Sequence, residues 1–258
     1  MSYIDAHTHL ADSGYAGKVE EIVEDAKQHA VAHLLSNPID YESSIATIKL
    51  AKQYPDRVLA AVGVHPSTAT RTNELHLEEF NELMEANREH VRAVGEIGLD
   101  GKYSQDEAVK DRQRATFRFF LDLAEKTQLP VTVHSRQAVD ETLDILANFH
   151  IPKVLLHWYD GPVENLQLMK ERGYFISVGP ALLYSRRISE ITIAADIGTL
   201  LTETDGPVIY RGLGGERLTK PSLVIDVVRK IAELKAMSQE AVKAAIQRNF
   251  DLYLGTVR

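Results

Sequence analysis

At 258 residues with 44% hydrophobic content, the chain can bury a large core, and one domain is expected because chains divide only above roughly 250–300 residues. Its 29 basic and 37 acidic residues give a formal charge of −8, which excludes a broad nucleic-acid-coating surface but leaves room for a small basic pocket that grips one strand end. The absence of cysteine excludes disulfides and thiolate metal sites, so any metal must be held by histidine and carboxylate.

The chain opens with a short strand over Ile4–His9, led in by Ser2-Tyr3, and an amphipathic helix follows over Val19–Ala30. Ala32–Ser36 reads as a buried strand closed by Asn37-Pro38, and Tyr41–Gln53 as the next helix. Strand Arg57–Val64 ends at His65-Pro66, helix Leu77–Glu89 follows, and strand Val91–Ile97 closes at Gly98-Leu99-Asp100. The longest helix, Glu107–Thr127, runs to Pro130 and the strand Val131–His134. Helix Ala138–Phe149, strand Lys153–His157, helix Pro162–Arg172 and strand Tyr174–Val178 continue the alternation. Helix Ser185–Ala195 precedes strand Thr199–Thr204, closed by Asp205-Gly206-Pro207, and two helices over Ser222–Lys235 and Ser238–Phe250 end the series.

Each strand is a short apolar run rather than an alternating one, as expected when both faces of a parallel sheet are covered. Eight such βα units predict an α/β fold of the (β/α)8 TIM-barrel type, a single domain spanning 1–258. A doubly wound open sheet would show a Gly-x-Gly-x-x-Gly turn after an early strand, and none is present; Gly212-Leu213-Gly214-Gly215 does not join a strand to a helix in that way. No apolar run approaches the roughly 18 residues of a membrane span, and no basic segment leads into an apolar one at the start. A soluble, cytoplasmic protein without a membrane partner is expected; nothing in the sequence indicates an oligomeric state.

In such a barrel the active site lies at the C-terminal ends of the strands. Those ends carry His7 and His9, His65, Glu96, His134, His157 and Asp205. Five of the ten histidines thus fall on one rim, while His29, His33, His76, His90 and His150 lie in or beside helices or away from strand ends and read as structural or surface residues. His7 and His9 share a strand face with Asp5, so both imidazoles reach one metal ion, unless they only form a polar layer at the mouth. Glu96, within Val94-Gly95-Glu96-Ile97-Gly98, is a costly buried charge unless a cation meets it. His134 and His157 directly follow apolar runs and are read as ligands. Asp205 is either a turn or N-cap aspartate, or a ligand and general base. His65 either lines the site or closes the turn at Pro66. Six to seven N/O donors exceed a single four-coordinate site with an open position, which favours two divalent ions (Zn, Mg or Mn) bridged by Glu96. Asp5 and Glu203, each two residues below a ligand, either orient that ligand or pair within the barrel.

These residues resemble the TatD family of metal-dependent deoxyribonucleases among the amidohydrolase-like TIM barrels. The matching motifs are Asp5–Leu10, Gly63–Pro66, Gly95–Asp100, His134–Arg136, His157–Gly161 and Glu203–Pro207, in the family's order and over almost the whole chain. The resemblance implies that His7, His9, Glu96, His134, His157 and Asp205 hold the metals. It also implies that Glu96 and Asp205 serve catalysis, Asp205 handling the proton of the attacking water, and that His65 and Arg136 contact substrate phosphate. The implied substrate is a DNA strand end or a small phosphoester.

Two departures stand out. His157-Trp158-Tyr159-Asp160 replaces the frequent His-Cys-Phe-Ser/Thr, which alters the pocket wall, and Leu218-Thr219-Lys220-Pro221 replaces Arg-Asn-Glu-Pro. Lys220, with Arg211 and Arg217, either supplies positive charge for substrate or lies on the plain surface. The rival readings are an amidohydrolase-like enzyme acting on a small ester, lactone, amide or aminoacyl-tRNA ester, and a non-catalytic metal-binding scaffold.

Overall fold

A computed structural model of the chain describes residues 2–71, 75–103, 106–214 and 218–255. Eight strands lie in one parallel sheet in chain order: β1 (Tyr3–Thr8), β2 (Val31–Ser36), β3 (Val58–Val62), β4 (Val91–Gly98), β5 (Val131–His134), β6 (Val154–Leu156), β7 (Phe175–Val178) and β8 (Leu200–Thr202). The sheet curls until its edges meet. Just beyond β8 the Asp205 amide donates to the His7 carbonyl at 2.9 Å, and the His9 amide donates to the Gly206 carbonyl at 2.7 Å. Lower on the seam, the Thr202 hydroxyl donates to the Ile4 carbonyl at 2.7 Å. The structure is the expected (β/α)8 barrel, and the seam is where its first and last site-bearing strand ends come together.

Ten helices among the described residues cover the barrel: α1 (Val19–Gln28), α2 (Tyr41–Gln53), α3 (Pro66–Arg71), α4 (Glu79–Ala86), α5 (Glu107–Thr127), α6 (Val139–Leu146), α7 (Asn165–Glu171), α8 (Arg186–Ala194), α9 (Val224–Lys235) and α10 (Gln239–Leu254). Local chemistry sets their ends. Asp40 and Ser43 form a reciprocal capping box at the start of α2, and the Asp106, Ser185 and Ser238 side chains cap α5, α8 and α10. The bulk of the core lies between helices and sheet, where Phe80, Phe117, Phe120, Phe250 and Tyr253 are all fully or almost fully buried. Among the described residues, no helix is long and apolar enough to cross a membrane.

Two differences from the sequence reading bear on the site. The strand expected to run to Val64 stops at Val62, and a six-residue helix, α3, begins at Pro66 immediately after His65. A helix that short leaves too few apolar positions for periodicity to register, although proline suits its first position, where no amide donor is needed. His65 therefore stands on a tight strand-to-helix turn that faces the mouth.

Candidate metal centre

Glu96, on β4, is the hub. Its side chain is 1% exposed and both oxygens face imidazoles. Oε1 lies 2.7 Å from His157 Nε2, 2.8 Å from His134 Nδ1 and 3.2 Å from His65 Nε2. Oε2 lies 3.3 Å from His7 Nε2 and 3.4 Å from His9 Nε2, with no hydrogen-bond partner of its own. Asp205 Oδ1 completes the second group, 3.1 Å from His9 Nε2 and 3.4 Å from His7 Nε2. All six expected metal ligands therefore converge, and His65 joins them.

Local backbone makes this convergence possible. Gly98 ends β4 at φ +135°, and a Cβ there would lie 2.1 Å from the His134 carbonyl oxygen, so only glycine lets the ends of β4 and β5 close up. Asp205 adopts φ +50°, a left-handed conformation that aspartate tolerates better than most residues. Asp5 fixes that turn: its Oδ1 accepts from the Thr204 amide at 2.9 Å and its Oδ2 contacts the Thr204 hydroxyl at 2.6 Å. Burial pushes the Asp5 carboxyl up to about 8.

The imidazole rings are held from behind. His9 Nδ1 lies 2.7 Å from the Asn37 carbonyl oxygen, and His65 Nδ1 lies 2.6 Å from the Ser67 hydroxyl. His134 presents Nδ1 to Glu96 and Nε2 to Asp100, whose Oδ2 stands 2.7 Å away. Asp100 Oδ2 also accepts from Arg136 at 2.7 Å. Glu203 Oε2 lies 3.7 Å from His157 Nδ1 and accepts from the Ser177 hydroxyl. The pairing expected within each strand is thus crossed: Asp5 serves the turn that carries Asp205, while Glu203 faces His157. Asp100 is the residue of this cluster that sequence reasoning passed over. Its one signal is an acidic residue just past the end of a site-bearing strand.

Charge shows what the cluster suits. Burial opposes ionisation of Glu96, yet the imidazoles of His157, His65 and His7 hold its carboxyl well below the usual carboxylate range. Burial likewise opposes protonation of His157 and His9. Glu96 and Glu203 nevertheless push His157 well above the usual imidazole value, and Asp205 and Glu96 push His9 up to about 9. Burial depresses His65 to about 4. The carboxylates thus draw positive charge to a site ringed by imidazole nitrogens. Imidazole and carboxylate donors, with the orphaned Glu96 Oε2 among them, fit divalent ions of the Zn, Mn or Fe kind. Donor atoms of His7, His9 and Glu96, and separately of His65, Glu96 and His134, lie within 4.8 Å of one another.

The cluster floors a cavity of about 580 Å³ whose wall includes Asp12, Tyr103, Arg136, Trp158 and Asp160. Arg136 reaches this wall and stacks on the Tyr103 ring at 4.8 Å. Lys220 does not reach it, since its ammonium pairs with Glu21 at 2.7 Å on the outer surface. Arg211 is exposed and absent from the described lining, and Arg217 lies outside the described residues.

A parallel eight-stranded barrel with this donor set at its C-terminal mouth is the architecture of a metal-dependent hydrolase. The model of the TatD related DNase family matches residues 4–255, and the chain belongs to that family. An uncharacterized metal-dependent hydrolase of Methanocaldococcus jannaschii is 30% identical over 96% of this chain and 95% of its own. Human Deoxyribonuclease TATDN3 is 27% identical over 96% of this chain and 93% of its own. Among solved structures, the TatD homolog YjjV of Escherichia coli matches with a TM-score of 0.88 at 26% identity, covering 97% of both chains.

Proposed function

We propose that this protein hydrolyses phosphodiester bonds at the end of a DNA strand with the help of two divalent metal ions. The observation that carries the reading is the division of labour on Glu96: Oε1 faces His134 and His157, while Oε2 faces His7 and His9 beside Asp205. One buried carboxylate that serves two donor sets is suited to bridging two cations. His7, His9 and Asp205 would hold one ion and His134 and His157 the other. When bound, such a pair lowers the pKa of water and offsets the charge that develops on phosphoryl oxygens.

The chain's own groups supply the rest. Asp205 lines the cavity and accepts the proton of the attacking water. Arg136 and His65 receive the substrate phosphate. Asp100 holds Arg136 and Ser67 holds His65 before substrate arrives, so neither group reorganises during the reaction. Apart from the histidines, Arg136 is the one basic residue in the described lining, which also carries Asp12 and Asp160. That balance suits a single phosphate at a strand end, or a small phosphoester, better than the side of a long polyanion. The name of the human relative agrees with DNA as the substrate.

End-labelled single-stranded DNA, incubated with Mg²⁺, Mn²⁺ and Zn²⁺ separately, tests the reading. Metal-dependent shortening from one end is expected. Turnover of lactones, amides or aminoacyl esters without any cleavage of DNA or of a small phosphodiester would overturn it.

A further inference from the structure

Trp158 is the chain's one tryptophan, and it directly follows His157 on the wall of the cavity. We propose that its indole is the platform on which the nucleobase beside the scissile phosphate stacks. The inference rests on the phosphodiester reading and adds to it a subsite for the base.

Three observations carry it. First, the indole is held rather than loose. Its residue sits in a left-handed turn at φ +40°, its amide donates to the Ser177 hydroxyl at 3.2 Å, and its ring leans on Tyr210 with centroids 5.5 Å apart. A half-buried aromatic plane fixed in this way binds at little cost in side-chain entropy. Second, Tyr103, the other tyrosine or tryptophan ring in the described lining, has one face covered by the Arg136 guanidinium, 4.8 Å from its centroid. His65 also lies edge-on to Tyr103, 6.2 Å between centroids, so Arg136, Tyr103 and His65 form one group, suited to phosphate, and Trp158 with Tyr210 another, suited to a flat apolar group. Third, Pro207 and Val208 extend the apolar lining, while Asp160 discourages a second phosphate there. A cavity of about 580 Å³ lies within the usual range of small-ligand sites and has room for a nucleotide. Every base has a π-face, so such a platform gives affinity without choosing a sequence.

The same residue reports on the idea. As the sole source of indole fluorescence, Trp158 can be followed in the whole chain, metal-loaded with Mg²⁺ or chelated, using excitation at the red edge where nucleotides do not absorb. Titration with dAMP is expected to quench the emission. 2-Deoxyribose 5-phosphate and inorganic phosphate should leave it nearly unchanged and bind about five- to hundredfold more weakly, the range for one stacked base. In turnover of an oligonucleotide, Trp158→Leu should raise KM by a similar factor, the loss falling on KM, and Trp158→Phe should restore most of it. Equal binding of dAMP and deoxyribose phosphate would overturn the proposal, even with DNA cleavage intact. Quenching by dAMP alone would uphold the base subsite, even if no DNA were cut. Should Trp158→Leu fail to fold, the titrations on the unaltered chain still decide.

Discussion

Asp100 Oδ2 stands 2.7 Å from His134 Nε2, and the opposite nitrogen of that ring points at Glu96. The carboxylate therefore fixes which ring atom faces Glu96, and it also holds Arg136, the proposed phosphate contact. Asp100→Ala should free both at once. Loss of such an orienting partner typically costs about 10- to 100-fold in metal affinity. Titration of the chelated protein with Zn²⁺ should show that weakening, with the helical circular dichroism unchanged. Undiminished affinity would leave Asp100 as an anchor for Arg136 alone.

Glu96→Gln removes the charge that draws the imidazoles together while keeping the shape of the side chain. A neutral amide is a poor bridge between cations, so the metal-to-protein ratio of the purified variant should fall relative to the unaltered chain. Elemental analysis after dialysis checks this. An unchanged ratio would make Glu96 a structural residue of the barrel.

The strands were legible because they are largely apolar runs of three to eight residues, mostly buried on both faces, and most lead to a polar residue at or near the far end. Glu96 was legible for the opposite reason: a charge inside such a run demands a partner. Relationships across strands were not. That Glu203 faces His157 depends on how β6, β7 and β8 lie side by side, and that Asp5 grips Thr204 on how β8 meets β1 at the seam, which no single strand encodes. Asp100 looked like a turn residue closing β4, and Lys220 drew notice by its charge although Glu21 holds it outside the cavity. A position on a rim can be read from one strand's end, whereas a contact needs the neighbour's register as well.

His33, on β2, carries a prediction away from the site. Its ring packs against Phe250 with centroids 6.0 Å apart, and its Nδ1 is buried without a hydrogen-bond partner. Burial lowers its pKa, Asp251 opposes that shift and Arg57 adds to it. The neutral ring is favoured in the fold, so its stabilising contribution is present above the unfolded value of 6.5 and is lost as pH falls below it. His33→Leu removes that term. Between about pH 8 and about pH 5.5, on either side of the ordinary imidazole value, the chelated wild type should lose more stability in urea than the variant. Parallel pH profiles for the two proteins would refute the assignment.

Asp205→Asn separates metal binding from proton transfer. The backbone at this position is left-handed, at φ +50°, and asparagine accepts that conformation as readily as aspartate, so the turn that Asp5 holds through Thr204 should survive. The amide keeps an oxygen in the place of Oδ1, 3.1 Å from His9 Nε2, and an ion held chiefly by His7, His9 and Glu96 should remain at saturating metal. What the amide cannot do is take a proton from water. If Asp205 is the general base, kcat should drop by about 10²- to 10⁴-fold, the usual contribution of positioned proton transfer. Substrate affinity should hold, because the residues proposed to contact phosphate, Arg136 and His65, are anchored independently by Asp100 and Ser67. The loss should then appear equally in kcat and kcat/KM, as for an interaction made only in the transition state. Kinetics on a defined phosphodiester at saturating metal decide the matter. A variant that keeps kcat but loses affinity would make Asp205 a binding residue and move the base elsewhere on the rim.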